Sequence, residues 1–198
     1  EESSPRGMAL AADGKALLTF GERPELAWRD SKSGSVLRRS DALPQELLCV
    51  TMSADGAVAA ADVAGGLHRW DAEGKLMLSW TTPLGPVRQL LFTDDLGRMA
   101  ASACADKVVF WDTHSGNYRD VLDAGSEVRS LALSPDRKLV AAGTAQGAIR
   151  VWSVESGKLV AAIREHTAPV AALAFATDGQ TLASAAGPGE ICLWNVPT

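Results

Sequence analysis

Chemistry in a chain of this size needs histidines, cysteines, acids or phosphate-cradling glycines brought together, and the sequence offers each sparingly. Three histidines are present, His68, His114 and His166. No HxH or HxxxH spacing joins them, so a shared metal centre would need three distant segments to converge. His68 stands two residues before Trp70, where packing accounts for it, and His114 lies in a polar turn, Asp112-Thr113-His114-Ser115-Gly116-Asn117. Cys49, Cys104 and Cys192 form an odd set without CxxC spacing, each in an apolar stretch. They read as buried structural thiols. Glu1-Glu2 and Asp94-Asp95 are sequence neighbours whose side chains diverge in a strand or turn, a poor arrangement for acid–base work. No GxSxG elbow, GxGxxG or phosphate loop follows a strand. Gly65-Gly66 and Gly187-Pro188-Gly189 lack the lysine and helix that hold a phosphate. The sequence predicts no catalytic residue, no cofactor, no metal and no enzyme activity.

Composition narrows the partners further. Of 198 residues, 46% are hydrophobic and 22% charged, with a net charge of −5. That balance suits a soluble globular chain. An acidic surface with scattered Lys and Arg excludes nucleic acid and anionic membrane as expected partners, because both require clustered basic residues. No apolar run approaches the roughly 20 residues needed to span a bilayer. The first residue is Glu rather than Met, which points to a processed chain or a piece of a longer one.

The elements that would have to position any site announce themselves as a repeat. Trp28, Trp70, Trp111, Trp152 and Trp194 recur at intervals of 42, 41, 41 and 42 residues. Asp13, Asp55, Asp95, Asp136 and Asp178 keep the same beat at 42, 40, 41 and 42. Three of these aspartates precede Gly, a tight-turn signal between short strands. Within the fourth repeat, EVRSLALS, LVAAGTA, AIRVWSV and LVAAIRE are apolar runs separated by turn residues. No stretch holds a helical period, so four short strands per unit of about 41 residues are expected. A lone four-stranded unit cannot bury both faces, and stacking of such units is the physical consequence.

These residues give the chain its resemblance to the WD-repeat family, over about Gly7 to Val196. The family's Trp-Asp pair stands at Trp70-Asp71 and Trp111-Asp112, and weakens to Trp28-Arg29, Trp152-Ser153 and Trp194-Asn195. The resemblance implies an all-β propeller of four-stranded antiparallel blades, with repeats at approximately 7–44, 45–84, 85–125, 126–166 and 167–198 of a single segment. It also implies a buried His, Ser/Thr, Asp and Trp network in each blade. The fifth repeat keeps His166, Ser184 and Trp194, with Pro188 near the aspartate's expected place. No repeat holds all four members, and weaker blades are expected. Five sets of three inner strands are present but only four outer strands. Missing N-terminal strands, within a propeller of about seven blades, are therefore expected.

Function follows from the same resemblance: a non-catalytic scaffold binding a protein or peptide through its loop faces, as a module of a larger protein. The alternative is self-association through open blade edges. By family pattern, the binding rim includes Glu46, Ser126 and Glu127, with Asp106 and Gln146 nearby and Arg88 and Arg129 just inside it as contacts to an acidic peptide group. A salt bridge between Arg129 and Glu127 competes with that reading. Trp80, the one tryptophan off the beat, reads as edge packing or as an interaction anchor.

Overall fold

The computed structural model describes residues 5–11, 13–94, 97 and 99–196. Asp95, one of the turn aspartates, lies outside them. The described residues form nineteen strands in five antiparallel sheets. No helix among them is long and apolar enough to cross a membrane.

The first sheet holds β1 (Gly7–Leu10), β2 (Ala16–Phe20), β3 (Leu26–Asp30) and β4 (Val36–Arg39) in sequential order. The second repeats the pattern with β5 (Leu47–Met52), β6 (Val58–Asp62), β7 (Gly66–Trp70) and β8 (Leu76–Thr81). The third contains β9 (Val87–Phe92), β10 (Met99–Cys104), β11 (Lys107–Asp112) and β12 (Tyr118–Asp123). The fourth contains β13 (Val128–Leu133), β14 (Leu139–Thr144), β15 (Ile149–Ser153) and β16 (Leu159–Ile163). The fifth has three strands, β17 (Val170–Phe175), β18 (Thr181–Ala186) and β19 (Glu190–Asn195). Four outer strands and five inner triplets are thus what the described residues form. Meandering antiparallel order follows from the short turns, which can only join neighbouring strands.

Burial explains the sequence pattern strand by strand. Every residue of β6 and β7 is buried, whereas the outer β8 alternates exposed with half-buried positions. Strands covered on both faces must be apolar throughout, and outer strands need only alternate. The repeated tryptophans close the inner triplets: Trp28, Trp70, Trp111 and Trp152 are at most 3% exposed. Each sits where its strand's pairing with the outer strand slips by one residue. That bulge bends the outer strand around the large indole.

The turns are built by the aspartates. Asp136 Oδ1 accepts from Ser134 Oγ at 2.6 Å and from Lys138 N at 3.1 Å. Asp178 Oδ1 likewise accepts from the backbone N–H groups of Gln180 and Thr181. These donors hold both carboxyls below the usual carboxylate range, the Ser134 hydroxyl leading at Asp136 and the Thr181 N–H at Asp178.

Contacts divide the chain into two compact units, Glu1–Ala100 with Asp112–Asn117, and Ala101–Trp111 with Tyr118–Thr198. In the first, Leu18, Leu26, Trp28, Leu47, Val58 and Trp70 form a core shared by the first two sheets. In the second, Leu139, Ile149, Val151, Val170 and Leu182 do the same for the fourth and fifth. Sharing one apolar layer between consecutive sheets is how each repeat buries the face it cannot cover alone.

Candidate functional site

In the second unit, three loops meet around a small polar cleft. The turn after β12 is shaped by Asp123, whose Oδ1 accepts from Gly125 N at 2.8 Å and from Lys107 Nζ at 3.2 Å. The Gly125 N–H, followed by Lys107, holds the Asp123 carboxyl below its ordinary value. The turn between β14 and β15 is closed by Thr144, whose Oγ1 donates to Ala148 O and accepts from Ala148 N. Ala145 N donates to Glu127 O at 2.8 Å and ties this turn to the segment entering β13. Gly147 has φ +79°, and a Cβ there would stand 2.2 Å from His166 O. Only glycine lets the turn pack this closely on the loop before β17.

Ala124, Gly125, Ser126, Gln146, Ala148, Arg150, Arg164 and His166 line the cleft, which encloses about 260 Å³. Drug-sized ligands and cofactors occupy roughly 300–1,000 Å³, so this space fits a side-chain group rather than a cofactor. Two arginines set its electrostatics. Arg150 Nη1 donates to Asp123 O at 2.6 Å, which fixes the guanidinium beside the Gly125 turn. Arg164 is exposed and has no carboxylate partner among the described residues. A planar guanidinium pair with adjacent amide and hydroxyl donors suits a carboxylate or phosphate.

Of the rim residues expected from sequence, Ser126 and Gln146 line this cleft; Arg150 and Arg164 did not stand out, because neither falls on the repeat's beat. Arg129 sits at the entry of β13, where pairing with β14 slips between Val128 and Ser130. Its guanidinium meets Glu127 Oε2 at 2.9 Å, so the competing salt bridge is present. Asp106 pairs with Lys107 at 3.1 Å and Glu46 with Arg6 at 2.7 Å. Arg88 is an exposed residue of β9. Trp80 is half-buried, and its ring packs on the Gly116 turn, where a Cβ would come within 3.1 Å of Cγ.

The polar networks of the blades also differ from expectation. In the fifth sheet, Trp194 Nε1 donates to Ser184 Oγ at 2.7 Å, and His166 Nε2 lies 2.6 Å from the same oxygen. Glu190 Oε2 stands 2.9 Å from His166 Nδ1, near the place that Pro188 leaves without a carboxylate, but without hydrogen-bond geometry. In the second sheet, His68 Nε2 meets Asp62 Oδ2 at 3.0 Å and Nδ1 meets Ser79 Oγ at 2.8 Å. Burial pushes the Asp62 carboxyl up, but hydrogen bonds from His68, Gly66 N and Ala64 N outweigh it and hold it low. His68 is thus a buried hydrogen-bonding group rather than packing alone.

Residues 110–170 match the family model of the anaphase-promoting complex subunit 4 WD40 domain, and residues 157–195 match that of the WD domain, G-beta repeat. Autophagy-related protein 16 of Arabidopsis thaliana is 30% identical over 152 residues, covering 73% of this chain and 30% of that protein. Cell division cycle 20.6, cofactor of APC complex, from the same plant is 39% identical over 92 residues, or 46% of this chain and 22% of that protein. The chain therefore spans under a third of the length of these relatives. Among solved structures, a chain of the mitotic checkpoint complex superposes with a TM-score of 0.82 at 19% identity, covering 97% of this chain and 61% of that one. The Myceliophteria thermophila Cps50 (Swd1) β-propeller domain gives 0.85 at 15% identity, covering 100% of this chain and 67% of that one. With the tryptophan beat, the four-stranded sheets and these matches together, the chain belongs to the WD-repeat family and has the β-propeller fold.

Proposed function

We propose that this chain is a non-catalytic protein-interaction scaffold, a module of a larger protein, that holds an acidic or phosphorylated side chain of a peptide partner between Arg150 and Arg164. The observation that carries this reading is Arg164, a cation with no carboxylate partner among the described residues, which shares a cleft of side-chain size with a second, anchored arginine. An unpaired guanidinium next to a fixed one is an incomplete site, and a carboxylate or phosphate completes it with charge-assisted hydrogen bonds. Fluorescence anisotropy with labelled peptides carrying glutamate or phosphoserine, against an uncharged control, tests it. Charged hydrogen bonds contribute about 1.5–3 kcal/mol, so Arg164→Ala should weaken binding by about tenfold or more. Equal affinity for the uncharged peptide, or an unchanged Arg164→Ala, would remove this reading.

A second reading, self-association, is favoured by the fifth sheet. Ile191 is 73% and Leu193 70% exposed on β19, which has no strand on its outer edge among the described residues. Apolar edges of this kind invite pairing.

A further inference from the structure

We propose that His166, Glu190 and Cys192 form a binding site for a thiophilic divalent cation of the zinc type. Their donor atoms, imidazole Nδ1, a carboxylate oxygen and Sγ, all lie within 4.8 Å of one another. Glu190 and Cys192 are alternate residues of one strand, β19, and so project from the same face. His166 arrives from the loop before β17, 24 residues earlier, which is why no ligand spacing appears in the sequence.

The histidine carries the second, independent observation. Its side chain is fully buried, 0% exposed, and its Nε2 is engaged by Ser184. Nδ1 stands 2.9 Å from Glu190 Oε2 yet out of line for a hydrogen bond, and it has no hydrogen-bond partner among the described residues. A buried ring nitrogen left unsatisfied is rare in native proteins. The other side of the same carboxylate approaches sulfur, with Cys192 Sγ 4.0 Å from Glu190 Oε1. One nitrogen, one oxygen and one sulfur donor thus cluster at one place.

Zinc takes such mixed ligands at about 2.0–2.3 Å, in tetrahedral sites. Glu190 is exposed and Cys192 half-exposed, so both can close on an ion while solvent supplies the fourth ligand. The Ser184 contact orients the imidazole from behind, as partners of metal-bound histidines do. Trp194, which donates to the same serine, extends that support to the blade core. The thiolate makes zinc, or cobalt as its spectroscopic substitute, a better fit than calcium or magnesium, which prefer oxygen alone. His166 also lines the two-arginine cleft, although the metal site does not depend on what that cleft binds.

The test is a titration of the untagged, metal-free chain with cobalt(II), followed by absorbance. A thiolate-to-cobalt charge-transfer band should appear, persist in Cys49→Ala and vanish in Cys192→Ala. Glu190→Gln should weaken cobalt binding by tenfold or more. Both variants lie at the sheet's accessible edge, so circular dichroism can verify that they remain folded. Zinc should raise the melting temperature of the parent chain and leave that of Cys192→Ala unchanged, as binding to the folded state alone requires. Absence of the band, or its survival in Cys192→Ala, would overturn the assignment.

Discussion

Asp62 and His68 face each other across the turn joining β6 to β7, Oδ2 to Nε2 at 3.0 Å, and both are buried. The same carboxylate accepts from the backbone N–H groups of Ala64 and Gly66, so one side chain satisfies three donors. Removing the carboxylate strands its donors, at about 1–3 kcal/mol for each one left unsatisfied. Asp62→Ala should therefore lower the urea midpoint steeply, whereas truncating an exposed acid such as Glu46 should change the unfolding free energy by less than about 1 kcal/mol.

The pH dependence follows from the same carboxyl, whose folded pKa is depressed. A depressed carboxyl contributes stability that is present above its unfolded pKa, about 3.9, and lost as pH falls through the lower folded value. The stability difference between the parent chain and Asp62→Asn should hold at neutral pH. It should shrink as pH drops below about 4. Parallel acid-unfolding curves for the two proteins would show that Asp62 is not the group responsible.

Much of this architecture was legible in the chain, and the reasons are physical. Trp70 and its counterparts recur because a large side chain must fill one fixed gap per sheet, and nothing smaller does so. Asp62 was not legible as a network member, nor Glu190 as a neighbour of His166, because they stand eight and four residues before their tryptophans rather than at the family's place. What brings them to a histidine is the reach of a side chain across a turn or along a strand edge. Arg150 and Arg164 escaped for a related reason: one lies on an inner strand and the other in a loop, and only the fold makes them neighbours.

Ala105 offers a gain rather than a loss. It has φ 49° in the turn between β10 and β11, a conformation that suits glycine, and its methyl group is exposed. A left-handed non-glycine residue costs about 1–2 kcal/mol. Glycine's larger unfolded-state entropy returns about 0.4–1 kcal/mol of that. Ala105→Gly should thus stabilise by up to about 1 kcal/mol in equilibrium denaturation.

Gly147 behaves in the opposite sense. Its positive φ and the 2.2 Å approach of a hypothetical Cβ to His166 O leave no room for alanine. Backbone against backbone cannot yield as a flexible side chain can. Gly147→Ala should destabilise by at least about 1–2 kcal/mol and displace the loop carrying Arg164 and His166. Peptide affinity at the cleft should then fall even in preparations that remain folded, which anisotropy and circular dichroism together would register.

The exposed face of β19 decides between a chain that acts alone and one that assembles. Ile191 and Leu193 present two large aliphatic side chains to solvent on a strand whose outer edge carries no partner among the described residues. Burying one such side chain contributes about 1.5–3 kcal/mol, so the pair can stabilise an association but a charge placed there cannot enter it. If assembly uses this edge, light scattering should give a mass that rises with concentration above the 20.8 kDa of one chain. Ile191→Lys with Leu193→Lys should restore the single-chain mass, because edge lysines block strand pairing. A parent chain that stays at one mass throughout the range would leave the two-arginine cleft as the surface through which the scaffold acts.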